Sequence, residues 1–328
     1  MSELFKSGNI RLWSKLGARG TLGAALLSLS EDCENLKVLS ADLVTSSGLD
    51  RLQKAHPEMV VNTGISEQNM IGIAAGLAKE GSVVFATSFA PFISMRASEQ
   101  IRMNLGYMQH NVKAVSIGSG LSMAHLGNSH YGIEDLSVMR SIPGMTVVCP
   151  ADGAEIYKTV FAAAKTNAPM YIRITGAVPN PIVYAEDYDF EIGKAGVLKK
   201  GEDIAIIANG TMLYHSLEAS NILENEGISV TLINMHTVKP LDTGALTGVL
   251  GAKAIVTVEE HSVTGGLGSA VAEFLAPLKD SPPQLIIGLP DAFGHSGAYP
   301  WLLERYGLTG EGIAASVAKF YKGMLERR

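Results

Sequence analysis

Short apolar runs rich in β-branched residues alternate with helix-patterned stretches along almost the whole chain, and this alternation restricts the fold more than any other feature. In the first half the runs are "NLKVLSADL", "EMVVNTG", "GSVVFATS", "VKAVSIGSG", "MTVVCPAD" and "PMYIRITG". Such an order predicts an α/β chain in which a mostly parallel sheet is flanked by helices on both faces. Prolines, acidic residues and aromatics break the periodicity at 176–193, "GAVPNPIVYAEDYDFEIG", which reads as a connection between domains. The alternation resumes with "DIAIIANG", "ISVTLINM", "AKAIVTVEEH" and "QLIIGLPDAF". The expected division is a first domain over 1–178, a linker over 179–192 and a smaller α/β domain over 193–328.

Composition limits what these domains can do. With 328 residues, 47% apolar and 18% charged, the chain can bury large cores, and its net charge of −6 comes without any basic tract suited to nucleic acid. Cys33 and Cys149 lie far apart and in no metal-ligand spacing, which suggests a reducing compartment without structural zinc. No apolar run approaches the roughly 20 residues of a membrane span. A cytoplasmic protein with neither membrane nor nucleic-acid partners is expected.

In open α/β sheets ligands bind beyond the carboxyl ends of the strands, and four loops following strands carry most of the candidate chemistry. They are "SADLVTSS" (40–47), "NTGISEQ" (62–68), "ATSFAPF" (86–92) and "SGLSMAHLGNSHYGIED" (119–135). Glu67 falls where an extended run becomes an Ala/Gly-rich helix, a place that favours any carboxylate because the helix dipole is positive there. Phe85, Phe89 and Phe92 can form a wall for a flat heterocycle, or simply pack as core. His125 and His130 can exchange protons near neutrality, or stand as solvated loop histidines; a metal site is the weakest reading, for want of a third ligand. Arg96 and Arg102 read as surface or subunit-interface charges. The glycine-rich turn in "VEEHSVTGGLGSAV" could cradle phosphate, but tight packing of strand against helix accounts for it better. No Walker, G-x-S-x-G or H-E-x-x-H pattern is present.

The order of "SADL", "GISEQNMIGIAAGLA", "FATSFAPFISMRASEQIR", "GNSHYGIEDLSVMRSIPGMTVVCPAD", "MYIRITG" and "VEEHSVTGGLGSAV" resembles the pyrimidine-binding and C-terminal domains of the transketolase family, and within it the C-terminal subunit of split transketolases. The resemblance implies a thiamine-diphosphate pyrimidine-binding fold followed by a transketolase C-terminal-like domain. It implies that Glu67 bonds the 1′ nitrogen of the aminopyrimidine and favours the imino tautomer that activates the cofactor. By the same likeness Phe89 and Phe92 pack on the aminopyrimidine, and His130 touches substrate near the reacting carbons. Arg19, Ser46 and Arg173 match residues that hold a terminal sugar phosphate, the alternative being that one or both arginines are structural ion-pair partners. Gly118 and Leu126 depart from the family pattern at that end and leave the sugar's identity open.

The motif that binds the diphosphate and its metal is absent from the likeness, and "ADGAE" (151–155) does not replace it. The implied partner is a separate N-terminal, diphosphate-binding subunit that holds Mg2+ or another divalent ion, in an α2β2 heterotetramer acting on small sugars, with no metal ligands on this chain. The implied reaction is transfer of a two-carbon ketol unit from an anionic ketose to an aldose. A decarboxylating thiamine enzyme, resembling deoxyxylulose-phosphate synthase or a 2-oxo-acid dehydrogenase β subunit, and a non-catalytic regulatory paralogue are the alternatives.

Overall fold

The computed structural model describes residues 5–176 and 179–326, so the domain end expected at 178 lies outside the described residues. The strands are β1 (Leu36–Ser40), β2 (Val60–Asn62), β3 (Val83–Phe89), β4 (Val112–Ser119), β5 (Thr146–Val148), β6 (Met170–Thr175), β7 (Gly196–Lys199), β8 (Ile204–Ala208), β9 (Val230–Asn234), β10 (Thr237–Lys239), β11 (Ala254–Ser262) and β12 (Gln284–Leu289). They form a seven-stranded sheet in the order β10-β5-β6-β4-β3-β1-β2 and a five-stranded sheet in the order β12-β11-β8-β9-β7. Pairing is parallel except for β10 on β5 and β7 on β9. The α/β architecture expected from the alternation is therefore present.

Two details lie outside the sequence reading. The short segments of β7 and β10 add antiparallel edges, and β10 leaves the second half of the chain to pair with β5 in the first sheet. A division at the linker alone thus separates β10 from the sheet to which it belongs.

Alternation along the strands splits the first sheet's side chains between two cores. Val38, Phe85, Val115 and Ile172 pack beneath the helices Ser7–Asp32 and Gly153–Lys165. Leu39, Ala86, Ala114 and Tyr171 point to the other face, into a cluster that also contains Ala205, Ile207, Ile233 and Ile255 of the second sheet. The two halves thus share one apolar core, and residues facing that side of β6 are buried between them.

The segment over 179–192 is bound to both halves. Asp152 caps the helix Gly153–Lys165 by accepting from Glu155 N at 2.9 Å, and its second oxygen accepts from Val183 N and Tyr184 N at 2.9 and 2.8 Å. "ADGAE" is consumed in holding the linker. Glu155 is buried and accepts from Ala151 N, Tyr188 Oη and Asn234 Nδ2 at 2.7, 2.9 and 2.8 Å. Burial, with the nearby Asp152 charge, pushes its carboxyl from the ordinary 4.5 up to about 8. The folded state therefore holds a proton that the unfolded chain releases between these values, and stability is greatest below about pH 4.5 and is lost as pH rises toward about 8. Glu155→Gln should flatten this part of the stability–pH curve; unfolding midpoints from pH 5 to about 8 that keep the same slope would contradict the assignment.

Candidate active site

The turn before Glu67 is tied down by its own side chains. Gly64 takes a left-handed φ of +72°, and Asn62 Oδ1 accepts from Gly64 N and Asp42 N, each at 3.0 Å. Ser66 Oγ bonds Thr63 O at 2.8 Å. Glu67 opens the helix Glu67–Lys79, where backbone N–H groups and the helix dipole favour a carboxylate. It is only 2% exposed. Ser88 Oγ donates to Oε1 at 3.1 Å, and Arg96 Nη1 meets Oε2 at 3.0 Å.

Arg96 is therefore more than the surface or interface charge expected of it. Its guanidinium carbon also stands 4.2 Å from the centroid of Phe92, a cation–π geometry, while the side chain stays half-exposed. It sits on a π-helical turn, Phe92–Arg96, a local irregularity of a kind frequent at functional sites. Arg102, in contrast, is a surface charge as read from the sequence, and it pairs with the exposed Glu99.

Phe89 at the end of β3, Phe92 and His130 form a triangle of rings. The centroids are 6.0 Å apart for Phe89–Phe92, 5.6 Å for Phe89–His130 and 5.2 Å for Phe92–His130, all edge-to-face. His130 Nδ1 lies 3.0 Å from Ser129 Oγ. Phe85, four residues before Phe89, is wholly buried and belongs to the core. Gly118 (φ +66°) leaves room for Met123, whose sulfur would lie 2.4 Å from a Cβ there, with Phe89 at 3.4 Å. Arg96 thus links Glu67 to Phe92, which packs with Phe89 and His130, and His125 and Leu126 lie on the exposed side of the turn preceding His130. Chemically, a dry carboxylate beside aromatic rings can share a proton with a ring nitrogen, and the histidine can exchange one with a hydroxyl or carbonyl.

Arg19 and Ser46 also meet. Arg19 follows the kink at Gly17 in the helix Ser7–Asp32, and its Nη1 reaches Ser46 O at 3.3 Å. Both are half-buried, and among the described residues no carboxylate pairs with Arg19.

Arg173 does not join them. It lies on the face of β6 that packs against the second half of the chain, 3% exposed. Its Nε bonds both oxygens of Asp135 at 3.1 and 2.9 Å, and Nη2 bonds Gly132 O and Glu260 O at 2.8 and 2.9 Å. Of the two expectations for this residue, the structural ion pair is the one present and the grip on a substrate anion is not, because the strand position faces the core rather than a loop. The glycine-rich turn is likewise occupied: Glu259 accepts from Leu267 N and Gly268 N at 2.7 and 2.8 Å, so the chain's own carboxylate fills the helix N-terminus. Among the described residues no cluster of three or more metal-ligating side chains occurs, and no helix is long and apolar enough to cross a membrane.

Comparison with known proteins places the chain in a family. Residues 14–177 match the pyrimidine binding domain of transketolase and residues 193–313 match the transketolase C-terminal domain. A putative transketolase C-terminal section from Methanocaldococcus jannaschii is 41% identical over 308 residues, covering 93% of this chain and 96% of that protein. A 6-deoxy-6-sulfo-D-fructose transketolase subunit from a Clostridium species is 37% identical over 297 residues, covering 90% and 91%. Among solved structures, a split-gene transketolase described as an inactive β4 tetramer superposes with a TM-score of 0.83 at 41% identity, covering 92% of this chain and 98% of that one.

The Arg173 arrangement is open to a direct test. Arg173→Met leaves Asp135 buried with its charge uncompensated, so urea unfolding of the chain should show a loss of about 3–5 kcal/mol. A loss under about 1 kcal/mol, the range of a surface pair, would contradict the structural role.

Proposed function

The chain belongs to the transketolase family of thiamine-diphosphate enzymes, and from that premise we propose that it forms the pyrimidine half of a split transketolase site, with a separate subunit holding the diphosphate and its divalent ion. The observation that carries this reading is the buried Glu67 carboxylate, held by Ser88 and Arg96 beside Phe89, Phe92 and His130. These residues suit an aminopyrimidine: an acid able to share a proton with a ring nitrogen, and rings able to pack on a flat heterocycle. Bound thiamine diphosphate supplies the carbon nucleophile and electron sink that side chains lack.

Each residue of the chain then has a definite task. Ser88 fixes one carboxylate oxygen of Glu67. Arg96 balances the charge on the other and, being half-exposed, can yield its place to a ring nitrogen. His130 holds or moves a proton at a substrate hydroxyl near the reacting carbons. Arg19 and Ser46 lie together near the loop beyond β1, and an arginine with no carboxylate partner among the described residues suits a terminal phosphate or sulfonate; Arg173 is excluded from that task by its burial. The reaction moves a two-carbon ketol unit from an anionic ketose, leaving an aldose two carbons shorter, to an acceptor aldose, which becomes a ketose two carbons longer. The assembly suggested is an α2β2 heterotetramer.

The test is ketol transfer by the chain combined with the diphosphate-binding subunit, using phosphorylated, sulfonated and neutral ketoses and reading the aldose product. Glu67→Ala should lower the rate by about 10²-fold or more, and full activity of that variant would favour a non-catalytic role. Arg19→Ala should raise KM for an anionic ketose by about tenfold with little change for its neutral counterpart. Carbon dioxide release from a 2-oxo acid in place of ketol transfer would overturn the reading in favour of a decarboxylating enzyme.

A further inference from the structure

His130 ends a 3-10 turn, Ala124–Ser129, whose shape its own sequence does not favour. Gly127 takes its φ of +68° without strain, whereas Ala124 holds a left-handed φ of +48° although it carries a side chain. Strain of that kind persists only where surrounding contacts over-determine it. The base of the loop is held by the first half of the chain: Gly120 and Gly132 form an isolated bridge, and Ser122 Oγ accepts from Gly176 N at 2.8 Å.

Its tip is held by the second half. Asn128 Nδ2 donates to Gly294 O at 2.8 Å while its Oδ1 accepts from Gly294 N at 3.1 Å, a two-pronged bond between a side-chain amide and a peptide unit. Tyr131 Oη reaches both Ala124 O at 2.7 Å and His295 O at 3.2 Å. The two flanks are pinned as well: the buried Glu260 carboxylate accepts from Leu121 N at 2.6 Å, and Ser262 N donates to Ile133 O at 2.8 Å. From Leu121 to Ile133, the loop that presents His130 is bonded at both flanks and at its tip to the C-terminal domain.

We propose that this domain serves as the positioning element for His130, and that Asn128, through its clasp on the Gly294 peptide, is a positioning residue for the substrate step. The proposal rests on the reading of His130 as a substrate-contacting residue. Asn128 lies two residues from His130 and is exposed, so its amide is spared from core packing and acts through loop geometry. A displacement of about 1 Å at such a group can cost on the order of 10²-fold in rate, and loosening a clasp whose neighbours remain should cost less. Glu67, Phe89 and Phe92 each stand on an element other than the histidine loop, so cofactor affinity should not follow Asn128 even though both rings meet His130.

The experiment is a double-mutant cycle in the complex with the diphosphate-binding subunit. Asn128→Ala should lower kcat/KM for the ketose by about tenfold, with the thermal midpoint and the dissociation constant for thiamine diphosphate unchanged. In a His130→Ala background the same substitution should have no further effect, since the group it positions is gone. Tyr131→Phe, which removes the bonds to Ala124 and His295 while keeping the ring, should act in the same direction and decides the matter if Asn128→Ala lowers the thermal midpoint. Wild-type kcat/KM in both variants, or an equal loss in the His130→Ala background, would overturn the proposal alone. Full activity of His130→Ala by itself would overturn the reading beneath it, and the proposal with it.

Discussion

The buried pair of Arg173 and Asp135 is the interaction on which the rest of the structure depends. Both side chains are shut away from water, at 2% and 0% exposure, and two such charges cost several kcal/mol each to desolvate unless their partners are complete. Here they are nearly so. The arginine meets both carboxylate oxygens, Tyr171 Oη donates to Asp135 at 2.7 Å, and Nη2 spends its bonds on Gly132 O of the first half and Glu260 O of the second. One guanidinium thus reads the positions of β6, of the helix opened by Asp135, of the loop ending at Gly132 and of β11. The fold can tolerate a shared apolar core between its halves because this polar node admits few relative placements of them.

That node has consequences at the edge of the first sheet. The carboxyl ends of β1, β2, β3 and β4 point the same way, so the loops carrying Ser46, Glu67, Phe89 and His130 open on one side of the molecule. Parallel strands bring the residues to the same edge; side-chain bonds give each loop its shape. Asn62 with Asp42 fixes the turn before Glu67, Met123 fills the space beside Gly118, and contacts from β11 and from the segment near Gly294 hold the histidine loop. The resulting surface offers proton chemistry and aromatic packing, while the glycine-rich helix N-terminus is taken by Glu259. Under the proposed function that surface serves as the pyrimidine half of a thiamine-diphosphate site.

Much of this was legible in the sequence, for physical reasons. Strands such as "GSVVFATS" are apolar on both faces and bounded by breakers, so their existence could be read directly; β7 and β10 could not, because three or four residues in "GVLK" and "TVK" carry too little periodicity. Glu67, Phe89, Phe92 and His130 stand in motifs whose order carries the resemblance, and they converge. Arg173 could be read either as an anion grip or as a structural ion pair: its place in "MYIRITG", an arginine inside an otherwise apolar strand, was the available sign of the second, and only the partner acid was hidden. Arg96 and Asn128 were invisible because their partners, Glu67 and Gly294, lie 29 and 166 residues away, and no local pattern encodes a contact at such separation.

The central claim is that Glu67 and its aromatic neighbours form one half of a cofactor site that another chain completes. Calorimetric titration with thiamine diphosphate and magnesium tests it most directly, carried out on the chain alone and then on the chain mixed with the diphosphate-binding subunit. The account predicts no measurable heat of binding for the chain alone and saturable binding for the mixture, with that binding weakened by Glu67→Ala on this chain. Saturable binding by the chain alone, or binding by the mixture that is indifferent to Glu67, would contradict it.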